Sequence, residues 1–311
     1  MGEKEKKSGE LGERVATRFL QMIGWGNLLD GIDIPCVKPD KHALKENSKR
    51  RTHGLDFLTA YPCPFFKQKL EICYVSMKYR KKYPKSPTGD FKVFIRDVAT
   101  AMECGKKSEI NTLKRKYRVK KAPNTGVVIW LSYEDEGIAS VTDDILDFRN
   151  IEDVNYEMVY LVDNKKVNFI LGILDFARNE FKNAEVEFFY PSSGYKSDSV
   201  DIKYSGKILP VQYINSNILP LKIIDLDDKE HFILAVNESF DPQALKQLIW
   251  LAQDLTVSWG NRIIICFPDY HHLTHDQEVK KVKLTFSDER FLNKIEVKKY
   301  SFGDFRTLEE E

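Results

Sequence analysis

The chain has 311 residues, enough for two domains of ordinary size, and its 42% hydrophobic and 31% charged residues are the composition of a globular protein. No apolar run reaches the roughly 18 residues that a membrane span needs. The charged start, Met1 to Lys7, has no apolar segment behind it, so no secretory signal is expected.

Five cysteines, Cys36, Cys63, Cys73, Cys104 and Cys266, are odd in number and form no C-x-x-C pair. They read as reduced thiols of a cytoplasmic protein rather than a disulfide framework. Cys36, His42, His53 and Cys63 include zinc-ligand types, but their spacing fits no ligand motif and no zinc site is expected from it. The net charge of +1 hides an asymmetry: residues 1–121 carry 28 Lys and Arg against 14 Asp and Glu, while the remainder is acidic. A polyanion facing the first half would explain the split, and so would docking of an acidic half onto a basic one.

Taken in order, residues 8–24 read as a helix. Leu11, Val15, Phe19, Met22 and Ile23 recur at helical spacing, Ser8 suits an N-cap, and Gly24 suits the stop. Glu13 falls at the margin of the apolar face. Residues 25–53 read as a polar loop ending in Lys45, Lys49, Arg50 and Arg51. Gly54 to Ala60 reads as a strand holding Asp56 among apolar neighbours, and residues 68–79 as the next strand. Two-residue alternation puts Leu70, Ile72, Tyr74, Ser76 and Lys78 on one face of it. A helix over 91–104, a basic helix from Ser108 to Arg118, and an apolar, central strand from Gly126 to Tyr133 follow.

Beyond residue 150 the order strand, helix, strand occurs twice. The first copy is Met158–Val162, Val167–Phe181 and Glu185–Tyr190; the second is Phe232–Val236, Pro242–Val257 and Arg262–Phe267. Asp241 and Pro242 open the second helix as first-turn chemistry expects. Two βαβ-like units imply a mixed α/β domain over 151–311, after an N-terminal domain over 1–150. Neither unit carries a glycine-rich phosphate loop. His271, His272 and His275 cluster in what reads as a loop, with no H-E-x-x-H pattern, and the acidic end Glu309 to Glu311 is expected to fray.

Chemistry concentrates in the first half. An acid near one strand, Asp56, a lysine on the next, Lys78, and a helical acid upstream, Glu13, are the parts of metal-dependent phosphodiester cleavage. Each has a bland alternative: Asp56 as a turn residue, Glu13 as a solvated helix face, Lys78 as the first of a basic run. Arg80, Lys81, Lys82 and Lys85, with Tyr79 and Tyr83 among them, and Lys114, Arg115, Lys116 and Arg118 suit a nucleic acid, the cations for phosphates and the tyrosines for stacking on bases.

The order of Gly12-Glu13 on a helix, Gly54-Leu55-Asp56-Phe57, then Ser76-Met77-Lys78 resembles the PD-(D/E)XK nuclease superfamily, over roughly the first 135 residues. The resemblance implies a restriction-endonuclease-like core followed by a C-terminal mixed α/β domain for partner or substrate recognition. It also implies Asp56 and Glu13 as ligands of Mg2+, with Mn2+ as a substitute, and Lys78 as the catalytic lysine. The family's second acid should stand at position 76, where this chain has serine; Ser76 is left to contact a metal-bound water. Glu71, on the opposite face, could replace it only through a bulge. The layout further resembles the nuclease subunit of two-gene, GAPS-type bacterial phage-defence systems, which implies a second protein subunit. DNA is expected ahead of RNA as substrate. The alternative is a catalytically inactive nuclease fold that binds nucleic acid or a partner.

Overall fold

A computed structural model of the chain describes residues 3–43, 45, 48–66, 68–105, 109–145, 154–192, 204–256 and 259–310, with backbone alone for 3–6 and 109–112. The fold is mixed α/β, and its contacts divide into two compact units, Met1–Lys165 with Phe305–Glu311, and Lys166–Asp304. The expected boundary after residue 150 lies outside the described residues, as do Ser108, Val257 and Glu311.

The first unit opens with α1 (Glu3–Met22). Its Val15, Ala16, Phe19 and Leu20 are buried, as is Ile23 just after it. It ends in a Schellman motif: Gly24 takes φ +83°, its N–H donates to Gln21 O at 2.9 Å, and Trp25 N–H donates to Leu20 O at 2.8 Å. That is the stop read from the sequence. The start is earlier than the reading, because the Glu and Lys residues before Ser8 are good helix formers. Ser8 is therefore not the N-cap, and its Oγ donates to Tyr79 O at 3.5 Å instead.

Five strands follow in one sheet, ordered as in the chain: β1 (Leu29–Pro35), β2 (Thr52–Pro62), β3 (Leu70–Arg80), β4 (Asn124–Ser132) and β5 (Met158–Val162). The first three pair antiparallel, and β3, β4 and β5 pair parallel. Between β3 and β4 run α2 (Thr88–Gly105) and the short basic α3 (Glu109–Tyr117). All nine residues of β4 are buried, as a strand flanked on both edges and covered on both faces must be. Phe91, Phe94, Val98 and Met102 of α2 join Leu70, Ile72 and Tyr74 of β3 in one core cluster. Tyr83 closes the far side, donating its O–H to Trp130 O at 2.8 Å or Asn164 Oδ1 at 2.9 Å.

Three expectations change here. Residues 25–53 contain a strand, β1, that Asp30 and Asp33 disguise; Ile32 and Ile34 of that strand nonetheless pack on the α2 side. Met158–Val162 does not form a βαβ unit with Glu185–Tyr190. It completes the first sheet, because a strand–helix–strand pattern does not itself say whether both strands share a sheet. The segment from Phe305 to Glu310 also packs on this unit, where fraying was expected of Glu309 and Glu310. In the 3-10 turn Phe305–Glu309, Phe305 is fully buried. Arg18 donates to Leu308 O at 2.5 Å, Arg14 to Glu309 O at 3.4 Å, and Tyr79 O–H to the Glu309 carboxylate.

The second unit takes up α4 (Asn164–Glu180) from Lys166 onward, then β6 (Glu185–Phe189), β7 (Ser205–Gly206), β8 (Ile218–Ile224) and β9 (Glu230–Val236). After these come α5 (Pro242–Leu255), β10 (Ile263–Phe267), α6 (His272–Lys283), α7 (Glu289–Leu292) and β11 (Ile295–Lys299). The sheet order is β11-β10-β9-β8-β6-β7, with β9, β10 and β11 parallel and the other pairs antiparallel. The β9–α5–β10 crossover matches the second unit of the reading, and Asp241 caps α5 by accepting Ala244 N–H at 2.7 Å. The histidine cluster opens α6 instead of lying in a loop: His275 stacks on Phe240 with ring centroids 4.5 Å apart, and His271 N–H donates to its Nδ1 at 3.1 Å. Among the described residues, no helix is long and apolar enough to cross a membrane.

Candidate active site

The alternation of β2 slips at Asp56. Leu55 and Leu58 both belong to the core cluster on the α2 side, an odd spacing that a regular strand forbids. The β1 register passes from Asp30↔Phe57 to Ile32↔Leu55, which leaves Gly31 opposite Asp56, and Gly31 has φ +56°. Glycine takes that left-handed conformation without a Cβ penalty. On the other edge, pairing with β3 begins only at Phe57↔Val75. Asp56 therefore stands where the ladder is broken, an irregularity of the kind that re-aims side chains beside active sites.

Its carboxylate takes the place of the missing ladder bonds. Asp56 Oδ2 accepts Met77 N–H at 2.6 Å and Ser76 O–H at 3.1 Å. Oδ1 has no protein partner among the described residues. Ser76 is 5% exposed and spends its hydroxyl on holding Asp56.

Glu13 reaches this region from α1. The helix lies close on the Met77–Tyr79 side of β3: a β-carbon at Gly12 would meet Tyr79 Cβ at 2.5 Å. Solvent reaches Glu13, yet its pKa is raised above the ordinary carboxylate value, first by the water that neighbouring protein displaces, then by repulsion from Asp56, Glu10 and Asp30. The acids thus act on one another. No side-chain ion pair neutralises Glu13, Asp30 or Asp56 among the described residues. Asp30 is a member the sequence reading missed. Its signal was the broken alternation Leu-Asp-Gly-Ile-Asp-Ile, read there as loop.

Lys78 lies on the opposite face of β3 from Met77, as alternation requires, with its Nζ 5.4 Å from the Phe94 ring centroid. Together with Ser8, Gly9, Met77, Tyr79, Arg80, Lys81 and Tyr133 it lines an open groove of about 360 Å³. Glu71 does not take part. It is 1% exposed, pairs with Lys69 at 2.8 Å, and stands opposite Tyr61, about 16 Å along the strand from Ser76 at 3.3 Å per residue.

Arg80, Lys81, Lys82, Lys85, Arg115, Lys116 and Arg118 are exposed and Lys114 is half-buried, so the basic segments reach solvent as expected. Tyr79 does not: it is 6% exposed, stacked on Tyr133 and bonded to Glu309. Tyr83 is half-buried, with its ring against Trp130 and its O–H engaged with Trp130 O and Asn164. Tyr133, half-buried on the groove, is the aromatic that sequence reasoning passed over. A second group was also misassembled: Cys36, His42 and His53 do meet, but with Cys104 rather than Cys63. Cys63 lies instead beside Glu71, and burial and that carboxylate push its thiol up to about 11.

Hard oxygen donors with uncompensated charge, and a lysine on the adjoining strand, suit a divalent cation and a phosphodiester. With the helix–sheet–helix core around them, the class is that of PD-(D/E)XK nuclease domains. A family model described as the GAPS4 protein PD-(D/E)XK nuclease domain matches residues 1–166. The chain belongs to that family. Comparison with curated proteins and with solved structures yields no match.

Proposed function

We propose that the N-terminal unit hydrolyses phosphodiester bonds of nucleic acid with Mg2+, or Mn2+ in its place, and that it does so as the effector subunit of a bacterial antiviral defence complex. The observation that carries the reading is the break in β2 at Asp56, which sets an oxygen donor among the mutually repelling acids Glu13 and Asp30 while Lys78 stands on the neighbouring strand. Asp56 and Glu13 would hold the cation, with Asp30 adding negative charge. When bound, the cation supplies positive charge against the phosphate and lowers the pKa of water.

The chain's own residues supply the rest. Ser76 Oγ and Met77 N–H pin Asp56 Oδ2, which fixes the direction of Oδ1. The Lys78 ammonium stabilises charge on the phosphate oxygens as the bond to the leaving oxygen breaks. Arg80 and Lys81, in the same groove, neutralise flanking phosphates, and Lys82, Lys85, Lys114, Arg115, Lys116 and Arg118 extend the basic surface. Serine at position 76 fits this scheme because the carboxylate it replaces would add a fourth acid to a group whose members already repel one another. The second unit, whose described cluster of Glu180 and Glu296 is neutralised by Arg262 and Lys298, is assigned to recognition of the partner subunit or the substrate. DNA is favoured over RNA.

The test is cleavage of linear DNA, circular DNA and structured RNA under Mg2+ titration, with and without the partner protein. Asp56→Ala and Lys78→Ala should each abolish cutting with little change in thermal melting. If both variants fold and cut at the wild-type rate, the site is elsewhere. If the wild type cuts nothing with any metal or partner yet binds nucleic acid, the inactive-fold alternative stands.

A further inference from the structure

A second group of ligands lies away from the acids, where the loop after β1, the start of β2 and the end of α2 meet. Cys36 follows β1, His42 lies in the loop, His53 is the second residue of β2, and Cys104 is in the last turn of α2. His42, His53 and Cys104 are 4%, 0% and 1% exposed, and Cys36 is half-buried. One ligand atom from each falls within 4.8 Å of all the others.

The spacings are informative. His42 Nδ1 is 3.5 Å from Cys36 Sγ, 3.5 Å from Cys104 Sγ and 3.3 Å from His53 Nε2. In a tetrahedral zinc site with Zn–S of about 2.3 Å and Zn–N of about 2.05 Å, N···S edges are about 3.5–3.6 Å and N···N edges about 3.3–3.4 Å. All three distances match the edges of that tetrahedron.

A metal-free hydrogen-bond network explains them less well. His42 Nε2 lies 2.8 Å from the Glu103 carboxylate, which makes it the protonated nitrogen and leaves Nδ1 with one lone pair. That single lone pair faces two thiols and an imidazole. A cation gives four converging donors one common partner. The surroundings suit it as well. The Glu103 carboxylate orients His42 in the manner of a carboxylate–histidine–zinc unit, and is itself paired with Lys38. Val37 N–H points at Cys104 Sγ at 3.4 Å, a bond that favours a thiolate, and the end of a helix favours positive charge. His53 Nδ1, buried without a protein partner among the described residues, is the nitrogen that would carry the proton.

We propose that Cys36, His42, His53 and Cys104 bind one Zn2+ in a closed structural site. Four protein ligands leave no open position, so the ion has no part in cleavage. It ties the loop between β1 and β2 to α2 and anchors β2 three residues before Asp56. The ligands are scattered along the chain, with Cys104 62 residues from His42, which is why no motif betrays them.

Full-length protein purified without chelators and analysed by mass spectrometry for metals should carry about one zinc per chain, the stoichiometry of a closed site. Asp56→Asn should leave that content unchanged, while Cys36→Ser and Cys104→Ser should each lower it at least fivefold. Wild-type protein with less than about a tenth of an equivalent, or zinc retained by both cysteine variants, overturns the proposal. Should the variants fail to fold, wild-type protein with its metal replaced by Co2+ decides. Visible bands of tetrahedral cobalt with a thiolate charge-transfer band support the site, and an octahedral spectrum without that band refutes it.

Discussion

Gly12→Ala sets two effects of similar size against each other. Glycine in a helix interior costs about 1 kcal/mol relative to alanine, so propensity alone predicts stabilisation. The structure argues otherwise. A β-carbon at position 12 would sit 2.5 Å from Tyr79 Cβ and 3.1 Å from Tyr79 Cγ, and 3.6 Å from Met77 Cε. Tyr79 Cβ is no flexible tip: it sits on the backbone of β3, paired here with β4 at Leu131. Relief therefore requires α1 to move off β3 by about 1 Å, and overpacking of this kind costs about 1–3 kcal/mol. The net is a loss of about 0–2 kcal/mol, or a Tm lower by up to about 8 °C for a unit of this size.

Activity should suffer far more than stability. Glu13 is the next residue, and a displacement of about 1 Å at a catalytic centre can cost about a hundredfold in rate. Gly9→Ala isolates the propensity effect, because its β-carbon meets nothing within 4 Å; it should raise Tm by about 2–4 °C. The assay is calorimetric melting of the three proteins, with Mg2+-dependent cleavage of labelled DNA for wild type and Gly12→Ala. A Gly12→Ala protein that melts above wild type and cuts at the same rate would refute the argument that the tight seat of α1 places Glu13.

Glu13→Gln should stabilise the protein without Mg2+ while weakening Mg2+-dependent activity. Because the fold raises the Glu13 pKa, native stability is fullest below the ordinary glutamate value and declines as pH rises through the raised one, so the variant's Tm advantage should be absent in acid and grow toward neutrality, to at most about 1 kcal/mol for so exposed a group. A gap that widens on acidification would contradict the repulsion. Ser76→Ala removes one of the two bonds that hold Asp56 Oδ2, about 1 kcal/mol, so cleavage should fall no more than about tenfold with the Mg2+ midpoint unchanged. A drop of a hundredfold or more would mean that the hydroxyl does more than position Asp56.

What could be read from the chain, and what could not, divides along physical lines. Helical periodicity with Gly24 gave the end of α1, and the unbroken apolar run Gly126 to Leu131 announced a central strand, because both signals are local. β1 was lost because Asp30 and Asp33 make a strand look like a loop. Its Ile32 and Ile34 reveal their role only once α2 covers them. The fates of Tyr79 and Tyr83 were equally non-local: one is bonded to Glu309 near the chain's end, the other to Asn164. For the candidate site, residue types and order pointed to Glu13, Asp56 and Lys78, of which Glu13 and Asp56 lie near enough to repel each other. The slip in β2 that exposes Asp56 could not be seen, since it depends on a glycine in the neighbouring strand.

That slip also suggests why an acid cluster of this kind can exist in a stable fold. Carboxylates that repel one another cost stability, and the cost is tolerable only where solvent or a cation can reach them. A regular β2 would direct Asp56 into the α2-side core beside Leu58, where an unpaired charge is most expensive. Gly31 in its left-handed conformation, the open ladder at Asp56, and the Ser76 and Met77 donors together hold the carboxylate at the margin of that core. The strand must be anchored on either side of the break for the slip to keep its register. Toward the C-terminal side, pairing from Phe57 to Pro62 does this. Toward the N-terminal side, β2 has β1 on one edge only, and buried His53 and Leu55 face α2, His53 beside Cys104. A ligand group at His53 therefore falls where the strand most needs a second attachment, which gives a structural reason for the proposed metal site to lie so near the proposed catalytic acid yet separate from it.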